Sequence, residues 1–254
     1  MSKPSLATQQ KLLHQQNWMH PACWIPDGTT SLLDVGCNTG ELLSYCNELF
    51  PMIRLAGVEI NKTALEQARQ RLPLADLHVS AAEELPFADD RFDCVTCIEV
   101  LEHISVDVRS QSLKEMRRVL RPGGRLVLRV PHAGMFAFLD PNNFRFRMPH
   151  LYKTLIRQGH RDPNYSRESE DVVWHHHFTR DELKELAGNG WQIEASRTGG
   201  LLLMPLVDIA CWPFYRIGRT DNFLFRVLQR IANFDIGFDY GKASFDVLMV
   251  LRRV

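Results

Sequence analysis

An excess of charge of either sign is absent from this chain of 254 residues, because 30 Lys and Arg residues balance 30 Asp and Glu residues. A neutral chain lacks the overall basic field that draws many proteins to nucleic acid, so composition does not predict a nucleic-acid partner. Charged residues make up 24% of the chain and aromatic residues 9%, which is ordinary for a globular protein and argues against a disordered or fibrous class. The length predicts one large domain, or one domain with an elaboration.

Cysteine is also scarce, since six residues in a chain of this length do not make a disulfide scaffold. Cys94 and Cys97 form a C-x-x-C pattern inside a strand-like run, where a separation of three puts the two side chains on opposite faces. A redox pair is therefore not predicted. The polar, Gln-rich stretch from Met1 to Trp18 lacks the apolar core of a secretory signal, so we expect a cytoplasmic protein.

No apolar run is long enough to predict a membrane-spanning helix. The most apolar stretch, Gly199 to Tyr215, contains Asp208 and two prolines and is shorter than the ~20 apolar residues that a span needs. Two interpretations of residues 199–218 stay open. They pack over the core or against a second copy, or they make peripheral contact with a membrane.

From residue 31 onward, short β-like runs alternate with helical ones, which predicts an α/β fold with a doubly wound parallel sheet. The predicted strands are Ser31–Val35, Leu55–Val58, Leu77–Val79, Phe92–Ile98, Arg125–Val130, Trp191–Arg197 and Ala243–Leu251. The predicted helices are Gly40–Leu49, Lys62–Leu72, Val106–Leu120, a helix capped by Thr179 that runs to about Ala187, and Asn222–Ala232.

Three segments do not follow the alternation of strands and helices. Residues 1–30 are predicted to form an N-terminal helical cap, and residues 31–254 the main domain. Residues 132–178 are rich in Pro, Asn, His, Arg and aromatics, which is typical of an inserted lid or substrate segment. A second insertion, residues 199–240, separates the last two strands.

A glycine turn follows the first predicted strand and opens a helix, over Asp34-Val35-Gly36-Cys37-Asn38-Thr39-Gly40. Such a turn lets the backbone approach a ligand closely. Asn38 occupies the middle glycine position of a dinucleotide fingerprint, and Asn tolerates left-handed backbone. Glu59, at the end of the second strand, is placed to accept hydrogen bonds from the ribose hydroxyls of an adenosine ligand. The alternative is that Glu59 is simply the acid before a helix cap, Asn61. A phosphate-binding P-loop is excluded because its motif is absent.

Taken together, the motifs resemble the ordered motifs of class I S-adenosylmethionine-dependent methyltransferases. The resemblance covers about residues 30–131 and implies a Rossmann-like sheet of seven strands with an antiparallel last strand. A dehydrogenase is disfavoured by the missing glycine and by the later motifs. The motifs that carry the resemblance are Asp34–Gly40, Glu59, Glu83–Phe87 with Phe92–Asp93, Glu99–His103 and Leu120–Gly124.

The resemblance implies S-adenosylmethionine as cofactor. Its amino-acid end would lie against Asp34 and the backbone of Gly36 to Gly40, and its ribose against Glu59. The family often has Gly-Asp-Ala where this sequence has Ser80-Ala81-Ala82, so the adenine contact falls to backbone groups or to Glu83. The cofactor-binding residues implied in this way are Asp34, Gly36, Cys37, Asn38, Gly40, Glu59, Ile60, Ala82, Glu83 and Ile98.

The Glu99-x-x-Glu102-His103 cluster is placed by its spacing on one side of a turn after the fourth strand. A His triplet, residues 175–177, follows the first insertion. Together they resemble the arrangement in some O-methyltransferases of the ubiquinone pathway and in small-RNA 2′-O-methyltransferases, where a divalent ion grips substrate oxygens. His103, His176 and Glu102 are the candidate catalytic residues. Glu99, Glu102, His103 and His176 are the candidate ligands for Mg²⁺ or Mn²⁺, and a pocket-shaping role without metal is the alternative.

The sequence therefore predicts a methyltransferase that acts on a hydroxyl oxygen of a small-molecule, glycan or lipid-linked acceptor. Two alternatives stay open: a non-catalytic scaffold that binds the cofactor, and an RNA 2′-O-methyltransferase, which the neutral charge disfavours. The absence of an Asn/Asp-Pro-Pro-Tyr/Phe motif disfavours methylation of exocyclic amines in DNA.

Overall fold

A computed structural model describes residues 18–140, 143, 147–148, 150, 175–201, 203, 206–207, 210–211, 214 and 222–254. Most of the predicted N-terminal cap and of the lid segment lies outside these residues, as does most of 202–221. Those predictions stay predictions. Within the described part of the chain, no helix is long and apolar enough to cross a membrane.

Seven strands form one sheet in the order β3-β2-β1-β4-β5-β7-β6. The first five strands pair in parallel, and β7 is antiparallel to both β5 and β6. The predicted Rossmann-like α/β fold with an antiparallel last strand is confirmed. The strands are β1 Ser31–Val35, β2 Arg54–Glu59, β3 Asp76–Val79, β4 Phe92–Ile98, β5 Leu120–Pro131, β6 Trp191–Gly199 and β7 Asp246–Arg253.

Three of the described α-helices begin after a residue whose side chain binds their free backbone N–H groups. Asn61 Oδ1 accepts from the N–H groups of Thr63 and Ala64. Thr179 and Glu182 form a reciprocal capping box. The α-helices are α1 Glu41–Leu49, α2 Lys62–Arg71, α3 Val106–Val119, α4 Arg180–Ala187 and α5 Phe223–Ile236.

Two predicted boundaries differ from the structure. Gly241–Ala243 forms a 3-10 turn, so the last strand begins at Asp246 instead of Ala243. Residues 121–124, predicted as a turn, are part of β5, and the pairing of β5 with β4 shifts between Phe92 and Cys94 to accommodate them. A β-bulge of this kind adds residues without ending the strand.

Apolar clusters cover both faces of the sheet. Leu33 and Cys97 belong to the cluster under α3 and α4, whereas Leu32 and Cys94 belong to the cluster under α1 and α2. Neighbouring residues of one strand thus alternate between faces, as the period of two requires. Cys94 and Cys97 are both buried and lie on opposite faces of the sheet, as their separation of three residues predicts.

Candidate functional site

The site lies at the carboxyl ends of β1 and β4, where the chain order reverses direction across the sheet. Ligands of open α/β sheets bind in the crevice at this point. In the loop after β1, Gly36, Asn38 and Gly40 have φ angles of 75°, 47° and 76°. The predicted left-handed turn is therefore present, with Asn38 where the fingerprint has glycine.

Gly36 is required by the packing of this loop. A Cβ atom at Gly36 would lie 2.2 Å from Cγ2 of Val100, in the segment that follows β4. The absence of a side chain at Gly36 therefore lets the loop after β1 pack closely against the segment after β4.

Glu59 binds two backbone groups in the structure. Its Oε2 accepts from the N–H of Asn38 at 3.0 Å, and its Oε1 accepts from the N–H of Asn61 at 2.9 Å. The carboxylate therefore connects the glycine turn to the start of α2. Each carboxylate oxygen has a second lone pair, so both predicted interpretations of Glu59 are compatible in one side chain.

Asp34 is buried at the end of β1, and Thr96 Oγ1 of β4 donates a hydrogen bond to its Oδ1 at 2.7 Å. Burial raises the pKa of Asp34 to about 7, with a further rise from the charge of Glu59, while the Thr96 hydrogen bond opposes the shift. A cation beside Asp34 would favour its ionised form. The carboxyl group is thus suited to the ammonium of an amino-acid ligand.

The other cofactor-binding candidates fall into two groups. Ile60 is 71% exposed beside Glu59, which leaves its apolar surface available to a flat ring. Glu83 and Ile98 are partly buried, and Ala82 is buried in the core. Cys37 turns its side chain into the core, where a Cβ on Gly57 would lie 2.8 Å from its Sγ, so only its backbone faces the turn.

Glu102 lies in a 3-10 turn after β4, Leu101–His103, and is completely buried. None of the residues that the structure describes places a donor within hydrogen-bond distance of either of its carboxylate oxygens. Its Oε1 lies 3.6 Å from Nε2 of His175 and 3.9 Å from Nε2 of His103. Burial and the charge of Glu99 raise the pKa of Glu102 well above its ordinary value. Burying an ionised carboxylate without hydrogen-bond donors costs folding free energy unless a further group supplies a partner for its oxygens.

His175 is held rigidly behind Glu102. Asp140 Oδ2 contacts its Nδ1 at 2.5 Å, and Asn143 binds both its backbone N–H and its carbonyl, at 2.9 Å and 2.8 Å. Burial alone would lower the pKa of His175, but Asp140 and Glu102 outweigh it and raise the pKa. His177 Nε2 lies 3.3 Å from the same Asp140 oxygen. The cluster thus places an imidazolium between two carboxyl groups.

The structure does not bring His176 to this cluster. His176 Nε2 contacts Glu182 Oε1 of α4 at 2.6 Å, while His175 takes the place expected for it. The reason is that successive side chains of an extended segment point to opposite sides. Glu99, with a positive φ of 55°, binds Arg129 Nε at 2.9 Å.

The predicted ligand set for Mg²⁺ or Mn²⁺, Glu99, Glu102, His103 and His176, therefore does not converge, because two of its members are bound elsewhere. Within the described residues, two groups of three could hold an ion, with ligand atoms within 4.8 Å of one another. They are Glu102, His103 and His175, and Asp140, His175 and His177.

Residues 33–128 match the family model described as a methyltransferase domain. A UbiE ubiquinone/menaquinone biosynthesis C-methyltransferase of Geotalea daltonii is 34% identical over 112 residues, which cover 41% of this chain and 46% of the relative. An uncharacterized 37.1 kDa transposon protein of Streptomyces fradiae is 38% identical over 135 residues, covering 51% of this chain and 39% of the relative. The chain thus spans less than half the length of these two relatives.

Solved structures give the same fold at low sequence identity. A putative sarcosine dimethylglycine methyltransferase of Galdieria sulphuraria superposes with a TM-score of 0.59 at 13% identity, covering 97% of this chain and 85% of the other. A putative methyltransferase of Haloferax volcanii, solved with the Trm112 activator, has a TM-score of 0.56 at 17% identity and covers 100% of this chain and 99% of the other.

Proposed function

We propose that this chain, which carries a methyltransferase domain over residues 33–128 and has the class I methyltransferase fold, is an S-adenosylmethionine-dependent methyltransferase that acts on a hydroxyl oxygen. The observation that carries the choice of acceptor is the buried carboxyl group of Glu102. It lies between His103 and His175, at the carboxyl end of β4, and no described residue donates to it.

The cofactor fits the residues around β1 and β2. The Oδ1 atom of Asn38 is buried, and no described residue donates a hydrogen bond to it. It is therefore available to accept a hydrogen bond from the cofactor. Asp34 would hold the ammonium, Glu59 the ribose hydroxyls and Ile60 one face of the adenine. When bound, this cofactor supplies a methyl group already activated by a sulfonium, so the protein has to align and deprotonate the acceptor.

His103 is the residue we assign to deprotonation. Its side chain is 45% exposed, whereas Glu102 behind it is fully buried, so His103 is the member of the pair that an acceptor can reach. The acceptor hydroxyl gives its proton to a ring nitrogen of His103, and Glu102 in its ionised form stabilises the resulting imidazolium. Because burial raises the pKa of Glu102, that form gains population as pH rises. His175, fixed by Asp140 and Asn143, keeps Glu102 in place from the other side.

Methyl transfer to carbon is the second candidate, because UbiE relatives are C-methyltransferases by name. The same removal of a hydroxyl proton would activate the ring of a phenol-like acceptor. We favour oxygen because the His103 and Glu102 pair acts directly on a hydroxyl. A small-molecule, glycan or lipid-linked acceptor suits this chemistry, and the same residues leave RNA 2′-O-methylation as a weaker alternative.

The test is transfer of a ¹³C-methyl group from labelled S-adenosylmethionine to pools of glycans, glycolipids, quinols and RNA. The product is examined by NMR, because a methyl carbon bonded to oxygen resonates apart from one bonded to carbon. We expect an O-methyl signal in one pool. His103→Asn should lower turnover by about 10²–10⁴-fold, the range for loss of a general base, and Glu102→Gln should lower turnover in the same direction. The affinity for S-adenosylhomocysteine should not change.

His78→Asn is the matched control, since His78 pairs with Asp76 at the far side of the sheet and should leave turnover unchanged. A C-methyl signal would replace the oxygen assignment with the second candidate. Full turnover by His103→Asn would remove the proposed base. Turnover that is lost with a chelator and restored by Mn²⁺ would favour a metal at Glu102, His103 and His175 instead. Cofactor binding without turnover in any pool would leave the scaffold alternative.

A further inference from the structure

We propose that an exposed apolar face of α5 and the loop after it docks on an anionic lipid surface. Soluble proteins seldom expose large apolar side chains in a contiguous group without a binding role. Phe223 is 82% exposed and Phe234 67% exposed, and the rings of Phe234 and Phe238 lie 4.9 Å apart. The members of this face, called here the α5 apolar face, are Phe223, Leu224, Ile231, Phe234, Phe238 and Tyr240.

The α5 apolar face is one side of a helix whose other side is already anchored. Ala232 and Ile236 are buried, and Ala232 packs with Val207 and Cys211. Positions 223, 231 and 234 recur at helical spacing on the opposite side. The helix is therefore packed through its buried side, and the exposed stripe lies on the side away from that packing.

Charge indicates which partner this face fits. Arg226 and Arg230 on α5 and Lys242 in the following loop are exposed beside the apolar side chains. Asp239 is exposed in the same loop, whereas Asp235 is buried. Apolar and aromatic residues on one side of a helix, together with cations on the same side, are an arrangement suited to the headgroup region of anionic lipids.

The face is continuous with the acceptor side of the site. The backbone N–H of Met135 donates to the carbonyl of Lys242 at 3.0 Å, and both Met135 and Phe138 are more than half exposed. Asp140, which holds His175, follows two residues later in the same segment. An acceptor presented by a membrane would thus arrive beside His103. That connection rests on the proposed function, whereas lipid docking itself does not.

The test is co-sedimentation of the full chain with vesicles of phosphatidylcholine alone and with added phosphatidylglycerol. We expect binding only when phosphatidylglycerol is present, and weaker binding as salt rises. Phe234→Ser with Phe238→Ser should weaken binding about tenfold or more, because both side chains insert in the proposed docking. Arg230→Glu should act in the same direction.

A matched control removes equally exposed apolar side chains from the far edge of the sheet. Met52 and Leu74 are 91% and 99% exposed, so Met52→Ser with Leu74→Ser should leave vesicle binding unchanged. Titration with S-adenosylhomocysteine shows that each variant is folded and separates this test from the methyl-transfer test. Equal vesicle binding by the Phe234 and Phe238 variant would overturn the proposal. So would an absence of vesicle binding together with a dimer, seen by light scattering, that the same substitutions dissociate.

Discussion

At the scale of single residues, the site depends on carboxyl groups whose surroundings differ. Asp34 is buried with one hydroxyl donor, Glu59 binds two backbone N–H groups, and Glu102 is buried with no hydrogen-bond donor among the described residues. Burial disfavours the charged form, while donors favour it. Three carboxyl groups at one edge of a sheet can therefore carry different protonation states at neutral pH.

We expect Asp34 to make cofactor affinity dependent on pH. Its pKa of about 7 in the free protein should fall when the ammonium of the ligand lies beside it. Below pH 7 the ligand must therefore displace a proton, and the affinity for S-adenosylhomocysteine should fall by up to about tenfold per pH unit between pH 7 and 5.5. Above pH 7 the affinity should level off.

Calorimetric titration between pH 5.5 and 7.5 measures this dependence, and the heat in buffers of different ionisation enthalpy reports the proton released. Asp34→Asn is the control, because its affinity should be lower and independent of pH. A pH-dependent affinity that persists in Asp34→Asn would show that another group is responsible.

The sequence predicts some site residues better than others, and the triplet His175-His176-His177 shows why. The sequence identifies the triplet as a candidate, but it does not say which of the three side chains points into the cluster. Only tertiary contacts decide which side chain faces Asp140 and which faces Glu182. Asp140 and Asn143 belong to no motif and could not have been found. Asn38, Glu59 and Glu102 lie at fixed distances in sequence after strands. The sequence alone therefore places them near the carboxyl ends of those strands.

At the scale of elements, the two loops that form the site are packed against each other. Gly36 follows β1 and Val100 follows β4, and a Cβ on Gly36 would overlap the Val100 side chain. The cap residues Asn61 and Thr179 were correctly predicted because capping is local. The contact between Gly36 and Val100 spans two loops far apart in sequence, so no local pattern could have predicted it.

Gly36→Ala should destabilise the fold by roughly 1–3 kcal/mol, since it adds both a left-handed strain and a clash. Gly36→Ala with Val100→Ala should recover the part due to the clash but not the part due to φ. Urea unfolding of both single variants and the double variant gives the coupling energy. Additive effects would mean that the two loops do not touch in solution.

At the scale of the whole molecule, a ligand held by β1 and β2 should stabilise the entire domain. At 100 times its dissociation constant, S-adenosylhomocysteine should contribute about 2.7 kcal/mol to unfolding and raise the thermal midpoint by roughly 5–10 °C. Glu59→Ala should lose about 1–3 kcal/mol of binding free energy and most of that rise at the same ligand concentration.

Differential scanning fluorimetry with and without ligand measures both midpoints. The ligand-free midpoint of Glu59→Ala is the control, because Glu59 also binds the backbone of Asn38 and Asn61. An equal rise in the two proteins would mean that Glu59 supports the loop but does not contact the ligand.

The strand order has a consequence for synthesis on the ribosome. β6 is at the sheet edge and pairs with β7, which lies between it and β5. However, 46 residues lie between the end of β6 at Gly199 and the start of β7 at Asp246. At typical translation speeds this interval lasts on the order of several seconds. Throughout it, β1 to β5 can already pair, while the nascent β6 has no neighbour in the sheet. A chaperone that holds short extended segments would therefore act on this chain during one defined interval, which ends when β7 leaves the exit tunnel.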